Sequence, residues 1–141
     1  MRIRRAKLED ASAIAELLAE LGYEASASTI TKKLRLFAAN PFDEAFVALA
    51  GDGVAGCISV HCHELFHTDG RLGRITSLVV SESHKRLGVG SALIREGEKF
   101  LKANGCIRVE VTSGDHRPDA HEFYRENGYC EDERRFIKKL D

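Results

Sequence analysis

The stretch "HKRLGVGSAL" (His84–Leu93) joins a run of β-formers to a run of helix-formers through a glycine-rich turn. The first N–H groups of a helix have no partners within it, and the helix dipole adds about half a positive charge at that end. Glycine lets a phosphate approach the backbone because no Cβ stands in the way. Lys85 and Arg86 add side-chain charge at the same place. The stretch therefore predicts a cradle for a phosphate or a pyrophosphate, with a tight strand-to-helix connection as the plain alternative.

The spacing of the glycines argues against two common phosphate sites. A P-loop needs G-x-x-x-x-G-K-[ST], which the chain lacks. A dinucleotide fingerprint needs a third glycine, and Leu93 stands where that glycine should follow Gly88 and Gly90.

Composition narrows the class of protein. The 141 residues carry a formal net charge of -1 and are 43% hydrophobic, which suits one globular domain. There is no basic tail or acidic block, so neither nucleic acid nor a membrane surface is expected as a partner. No apolar run approaches the ~20 residues of a membrane span, and "MRIRRAKLED" has no apolar stretch behind its cations. These features predict a cytoplasmic protein whose four cysteines, none in a C-x-x-C pair, are reduced thiols.

Hydrophobic periodicity predicts blocks of strand and helix along the chain. The predicted strands are "MRIRRA" and residues 44–50, 54–63, 71–80 and 106–111, followed by strand material in "YCEDERRFIKKL". The predicted helices are "ASAIAELLAELGY", residues 28–39, a helix that begins at 88, and one over 117–128. Asp10 is the expected N-cap of the first helix and Gly22 its stop. The order β-α-α-β-β-β-α-β-α-β predicts a single mixed α/β domain with one sheet.

Two segments carry a resemblance to a known family. "SLVVSESHKRLGVGSALIREGEKFL" resembles the central motif of the GNAT superfamily of N-acetyltransferases, and "AHEFYRENGY" (Ala120–Tyr129) is similar to its A-x-x-F-Y-x-x-x-G-[F/Y] segment. The resemblance covers essentially the whole chain. It implies one GNAT-like domain over residues 1–141, with a mixed, mostly antiparallel sheet that splays between strands 4 and 5. About four helices would flank that sheet.

The resemblance implies acetyl-CoA as co-substrate. Its pyrophosphate would lie on the backbone from about Arg86 to Ser91, and its pantetheine arm along the main chain of the fourth strand. Lys85 stands where the family has Gln or Arg, a change that a backbone cradle tolerates. The implied cofactor-binding residues are Leu78, Val79, Val80, Lys85, Arg86, Leu87, Gly88, Val89, Gly90, Ser91, Arg117 and Tyr124.

Acetyl transfer to an amine requires a neutral amine, donors for the oxyanion and a proton for the leaving thiolate. Tyr124 matches the family's F-Y tyrosine and is the candidate acid, the alternative being an aromatic that packs the last helix onto the sheet. The family's usual carboxylate on the fourth strand is absent from Arg71–Val80. The candidate bases are Glu64 and His61, with His63, Asp115 and His116 as further candidates.

Other chemistries remain open at this point. His61 and His63 share a strand face and, with Glu64 or His67, could bind a divalent metal, although no metal ligands are predicted. A cysteine nucleophile would be a rival to direct attack, but no cysteine lies in an activating motif. An anionic head group on the substrate would need a cation such as Arg74 or Arg117.

The expected activity is transfer of acetyl to a primary amine of a small molecule, by direct attack in a ternary complex. "VHCHELFH" and "EVTSGDHRPDAHEFYRENGY" are similar to family members that acetylate aminoalkylphosphonates, which makes that class one acceptor to test. The alternatives are acetylation of a protein N-terminus or lysine, a non-catalytic acyl-CoA sensor, and a plain nucleotide-phosphate binder. Domains of this kind often dimerise through edge strands, and that analogy leaves a homodimer as an open alternative.

Overall fold

The structure, a computed structural model, describes residues 1–51, 53–112, 118–132 and 134–140. Five strands form one sheet: β1 (Arg2–Arg5), β2 (Asp43–Ala50), β3 (Gly53–Glu64), β4 (Arg71–Val80) and β5 (Cys106–Val111). The helices of the described residues are α1 (Ala11–Glu20), α2 (Ala27–Ala38), α3 (Val89–Ala103) and α4 (Pro118–Glu126). None of these helices combines the length and the apolar character needed to cross a bilayer.

The strands lie in the order β1-β2-β3-β4-β5. The first four are antiparallel neighbours, and β5 runs parallel to β4 because α3 carries the chain back between them. This is the mixed, mostly antiparallel α/β sheet that the sequence predicts. The ends of the predicted helices are also confirmed within three residues. The largest difference is at the end of α1, which stops at Glu20 before Gly22, whose φ of 90° is left-handed.

Both faces of the sheet are covered by apolar helix faces. On one face, α3 packs Leu93, Ile94 and Leu101 against the inward side chains of β2, β3 and β4. On the other face, α1 and α2 pack Ile14, Leu17 and Leu34 against the alternate residues of the same strands. α3 therefore lies on one side of the sheet, and α1 and α2 lie on the other.

The sheet opens between β4 and β5, as predicted. The last residue of β5 is Val111, which pairs with Ile75, whereas β4 continues to Val80. A β-bulge lies at this point, because the β3 register steps from Ser59–Ser77 to Val60–Ile75 and leaves Thr76 as the extra residue. From Thr76 onward, β4 has no pairing partner on its β5 side among the described residues.

Two expectations are wrong, one about the C-terminal segment of the chain and one about the N-terminal end of α1. The C-terminal segment forms no strand in its described residues 129–132 and 134–140, and Phe136 and Leu140 are about nine-tenths exposed. Strand propensity becomes a strand only where a partner strand offers its hydrogen bonds, and there is none here. Asp10 does not cap α1: its carboxylate accepts two hydrogen bonds from Arg4, at 2.7 and 2.9 Å, and one from the N–H of Lys7 at 2.7 Å.

Replacing Asp10 with asparagine is expected to cost about 2 kcal/mol of folding free energy at pH 7, because Arg4 would lose its ionised partner. Burial alone would raise the pKa of Asp10, but the bonds from Arg4 and Lys7 outweigh burial and lower it below the ordinary 3.8. The stabilisation is therefore complete above that ordinary value and is lost as pH falls through the lowered folded-state pKa.

Urea unfolding at pH 7 and in acid measures this effect. The gap between the wild type and Asp10→Asn should close in acid, whereas Glu9→Gln, at a neighbouring exposed carboxylate, should change stability by less than about 0.5 kcal/mol at either pH. A gap that is independent of pH would contradict the assignment.

Candidate active site

The unpaired edge of β4 presents backbone donors to the opening of the sheet. The N–H of Ser81 donates to the carbonyl of Ala55 on β3 at 2.8 Å. Successive amides along a strand point alternately to its two sides, so the amides of Val80 and Leu78 face away from Ser81's direction, towards the side that β5 has left open. The predicted pantetheine edge, Leu78, Val79 and Val80, therefore pairs with no strand of the described residues on its β5 side.

The glycine-rich loop follows this edge directly. Arg86 and Gly88 both have left-handed backbones, with φ of 65° and 81°, and α3 starts at Val89. The first α3 amide that donates to this loop is that of Ala92, to the carbonyl of Gly88 at 3.0 Å. The amides ahead of Ala92 in the first turn precede the helical hydrogen-bond ladder and are available to an anion.

The side chains of the loop face solvent, while its backbone is anchored. The residues from Lys85 to Gly88 are exposed, and Leu87 is 66% exposed. Lys85 forms an exposed ion pair with Glu82 at 2.9 Å. The N–H of Glu82 donates to the carboxylate of Glu20 at the end of α1, at 3.0 Å. The predicted residues 78–80 and 85–91 thus form one continuous strip from strand edge to helix start.

α4 packs against the start of α3. A Cβ at Gly90 would lie 3.0 Å from the ring of Phe123, so glycine allows this close approach. The Tyr124 ring makes edge contacts with Phe123, with ring centroids 5.3 Å apart, and with Tyr129 at 5.9 Å. Tyr124 therefore lies on the α3 side of the sheet, on the helix that covers the start of α3.

The hydroxyl of Tyr129 is held by a carboxylate of α3. This hydroxyl donates to the carboxylate of Glu98 on α3 at 2.6 Å. Burial is the larger cause that raises the pKa of Tyr129, and this hydrogen bond raises that pKa further. The Tyr129 phenol is therefore a structural donor held by α3.

A row of polar side chains crosses the α1/α2 face beside the opening. A carboxylate oxygen of Asp43 lies 2.9 Å from Nδ1 of His61, and Nε2 of His61 lies 2.7 Å from the hydroxyl of Thr76. That hydroxyl lies 2.7 Å from the hydroxyl of Ser59. The ring of Phe37, from α2, packs edge-on against His61 with centroids 5.2 Å apart. We call Asp43, His61, Thr76 and Ser59 the polar row.

The bulge in β4 is what brings Thr76 into the polar row. Ile75 and Leu78 both pack on the α3 side, although strict alternation would separate them. The extra residue resolves this conflict and turns the Thr76 side chain to the opposite face, where His61 lies. Thr76 is also the first β4 residue beyond the last pairing with β5, so its hydroxyl lies where the sheet opens.

The two base candidates lie in different places. Glu64 pairs with Arg71 at the start of β4, where its carboxylate accepts from the Arg71 guanidinium at 2.8 Å. Arg71 and Thr76 are five residues apart, which is about 17 Å along a strand. The structure therefore brings His61 to the opening and holds Glu64 away from it.

Arg74 lies close to the polar row. Its Cα pairs with that of His61, and its side chain is on the face opposite Ile75, which is the face of the row. The guanidinium donates to the hydroxyl of Thr112 at 2.6 Å and lies 3.5 Å from the carboxylate of Glu110. Arg74 thus places a positive charge beside the opening, and the carboxylate of Glu110 partly neutralises it.

Three sequence candidates, Arg117, Asp115 and His116, lie outside the described residues. Within the described part of the chain, no three His, Cys, Asp or Glu side chains come close enough together to hold a metal ion. Burial raises the pKa of the Cys57 thiol to about 12, and burial with a hydrogen bond from Cys106 does the same for Cys62. Neither thiol is ionised near neutral pH, so neither is an activated nucleophile.

Sequence reasoning missed three members of the polar row. Ser59 and Thr76 were not among the candidates from the sequence, because neither lies in a recognisable motif. Asp43 reaches His61 because their Cα atoms pair across β2 and β3, and only the strand register shows this.

A groove of about 680 Å³ lies elsewhere, between the end of α2, the start of β2 and α3. Its charged lining mixes both signs, with Arg5 and Lys99 beside Glu44 and Glu96. None of the residues that line it belongs to the open edge of β4 or to the start of α3, although Asp43 of the polar row is among them.

Comparison with known proteins agrees with this geometry. The sequence profile of the Acetyltransferase (GNAT) family matches residues 11–129. The chain is 31% identical to aminoalkylphosphonate N-acetyltransferase from Salmonella typhimurium, with 98% of this chain and 90% of that protein covered.

Solved structures show the same fold. One is a transcriptional regulator from Bacillus halodurans C-125, with a TM-score of 0.89, 21% identity and 99% of both chains covered. Another is glucosamine-6-phosphate N-acetyltransferase from Arabidopsis thaliana, with a TM-score of 0.86, 19% identity, and 99% of this chain and 98% of that one covered. Together with the family match, these similarities show that the chain belongs to the GNAT family of acetyltransferases and is an N-acetyltransferase.

Proposed function

We propose that the chain transfers the acetyl group of acetyl-CoA to the primary amine of a small molecule by direct attack in a ternary complex. The observation that carries this proposal is the edge of β4 from Thr76 to Val80. This edge pairs with no described residue on its β5 side and leads directly into the start of α3. A pyrophosphate at the amides of residues 86–91 would leave the pantetheine arm beside Leu78 and Val80. Four residues of strand, about 13 Å, separate Val80 from Thr76. The thioester would then lie near the polar row.

His61 is the base in this proposal. An alkylamine has a pKa near 10, so at pH 7 the substrate must lose a proton before it can attack. Nε2 of His61 faces the hydroxyl of Thr76 at the opening, and neutral imidazole is a suitable acceptor at this pH.

Tyr124 is the acid that protonates the leaving thiolate. It lies on the α3 side of the opening, opposite the face that carries His61. Placing acid and base on opposite sides of the thioester lets the amine lose its proton on one side while the sulfur gains one on the other. The backbone N–H of Leu78, which faces the opening two residues from Thr76, is the candidate donor for the oxyanion.

An amine with an anionic head group is the acceptor that this site favours. Arg74 stands on the face of the polar row and, as an arginine, suits the bidentate recognition of a phosphonate. The 31% identical relative is named for acetylating aminoalkylphosphonates. We therefore propose an aminoalkylphosphonate as the first acceptor to test.

Arg74→Gln tests that choice of substrate. We expect the KM for 2-aminoethylphosphonate to rise about 10-fold or more, because one charge-assisted interaction with the anion is lost. The KM for propylamine, which has no anionic group, should stay within about twofold, and Arg74→Lys should lie between the two variants. Equal effects on both amines would show that Arg74 does not bind the anion.

The activity itself is tested by following free CoA release from acetyl-CoA against aminomethylphosphonate, 2-aminoethylphosphonate, propylamine and a lysine-containing peptide. Mass spectrometry of the amine shows whether it has gained an acetyl group. Fast acetylation of the phosphonates supports the proposal, and acetylation of the peptide alone would indicate a protein acetyltransferase. Tight acetyl-CoA binding without turnover would leave a sensor, and ATP bound as tightly as CoA would indicate a nucleotide-phosphate binder.

A further inference from the structure

The direction of the hydrogen bonds in the polar row follows from what each group can donate. An ionised carboxylate only accepts, so the 2.9 Å contact with Asp43 requires the proton of a neutral His61 to be on Nδ1. Nε2 is then an acceptor, and the hydroxyl of Thr76, 2.7 Å away, must donate to it. The Thr76 hydroxyl has one hydrogen, so Ser59 must donate to Thr76 across their 2.7 Å contact.

Among the described residues, this count leaves one acceptor position of the Thr76 hydroxyl unfilled. A hydroxyl has two acceptor lone pairs, and Ser59 uses one of those on Thr76. The second lone pair of the Thr76 hydroxyl remains. The Thr76 side chain is exposed at the point where β4 separates from β5. An N–H of an ammonium group in the opening is the donor that fits this lone pair.

We infer that Thr76 is the group that takes the proton from the substrate amine and passes its own to His61, and that Asp43 is the positioning residue that fixes His61 to receive it. This inference rests on the proposed function and assigns roles to two residues outside the family's motifs. In the step, the ammonium N–H bond breaks as a bond to Oγ1 of Thr76 forms, and the Thr76 O–H bond breaks as a bond to Nε2 of His61 forms. The amine keeps the electron pair and attacks the thioester, and the row holds one imidazolium that Asp43 stabilises. As the C–S bond breaks, the thiolate takes the proton of Tyr124. The phenolate so formed takes the second proton from the acylated nitrogen, which leaves a neutral amide and restores Tyr124. After the product leaves, the same path returns the proton to solvent.

The groups around His61 come from several elements. Phe37 of α2 packs against the ring edge, and the ring of His63 stacks at a centroid distance of 6.2 Å. The titratable or charged groups that face it are Asp43 from β2, His63 from β3, and Arg74 from β4 with Glu110 of β5 behind it. Asp43 is the one in direct contact with a ring nitrogen.

Substitutions at two positions, Thr76 and Asp43, separate this role from a merely structural one. Thr76→Val keeps the shape of the side chain and removes the hydroxyl, so kcat/KM for the amine should fall about 100-fold at pH 7.5, while Thr76→Ser should restore it to within about fivefold. Asp43→Asn should lower kcat/KM about 10-fold, because the imidazolium that forms in the step loses its carboxylate. The KM for acetyl-CoA should change less than about twofold in both variants, and circular dichroism checks that both are folded.

The His61 tautomer gives a readout that needs no turnover. Nitrogen-15 NMR of the imidazole in the wild type should show the proton on Nδ1, and Asp43→Asn should shift the tautomer population. A wild type that acetylates no amine would overturn the proposed function. Wild-type turnover together with full activity of Thr76→Val, or a wild-type His61 protonated on Nε2, would overturn this inference alone.

Discussion

His61→Ala is expected to lower kcat/KM for the amine about 1000-fold at pH 7, the largest loss that we predict for a single side chain. The reason is that general base catalysis supplies about 100- to 10,000-fold, and His61 is the base candidate that lies at the opening of the sheet. Steady-state kinetics with the fastest amine measures this loss. The deficit should shrink to about 10-fold by pH 9.5, where an amine with a pKa near 10 supplies its own neutral form.

Glu64→Gln is the comparison for this result, since both residues are base candidates from the sequence. Its carboxylate is held by Arg71 at the other end of β4, so kcat/KM should stay within about threefold of the wild type. A loss with Glu64→Gln that exceeds the loss with His61→Ala would reverse the assignment of the base. A deficit of His61→Ala that is constant with pH would show that its role is not proton transfer.

Tyr124→Phe is expected to lower kcat about 100-fold and to leave the KM for acetyl-CoA within about threefold. The ring contacts with Phe123 and Tyr129 do not involve the hydroxyl, so phenylalanine can keep them. In the proposed mechanism the hydroxyl supplies the proton for the thiolate, so the loss should appear in the chemical step. Single-turnover measurements at saturating acetyl-CoA isolate that step.

Tyr129→Phe is the matched control because it removes the same atom from a neighbouring ring of the same cluster. Its hydroxyl donates to Glu98 at 2.6 Å, so we expect a loss of about 1 kcal/mol in unfolding free energy with kcat within about twofold. If Tyr129→Phe lost as much kcat as Tyr124→Phe, the effect would reflect disturbed packing of α4.

Local patterns were enough to predict most of the fold. Apolar spacing marked α1, α2 and α3, and the glycines at positions 22 and 88 marked their ends because only a left-handed backbone fits there. The C-terminal strand was wrong because pairing is a property of two segments, and "RRFIKKL" has strand composition without a partner.

The continuous strip of residues 78–80 and 85–91 and the polar row differ in how far the sequence could predict them. The strip is contiguous along the chain, so the strand, the loop and the helix start were visible as one motif. The polar row combines residues up to 33 positions apart in the chain, from Asp43 to Thr76. They meet only through the β2–β3 register and a one-residue bulge in β4, which hydrophobic periodicity does not report.

The central claim is that acetyl-CoA lies along the open edge of β4 with its pyrophosphate at the start of α3. A titration of the nitrogen-15-labelled chain with acetyl-CoA, followed by backbone amide NMR, tests it most directly. The account predicts saturable shifts that are largest at Leu78, Val80 and the amides of residues 86–91, with little change at Arg5 and Lys99 in the groove beside α2. Saturable shifts centred on that groove, or no saturable shift at all, would contradict it.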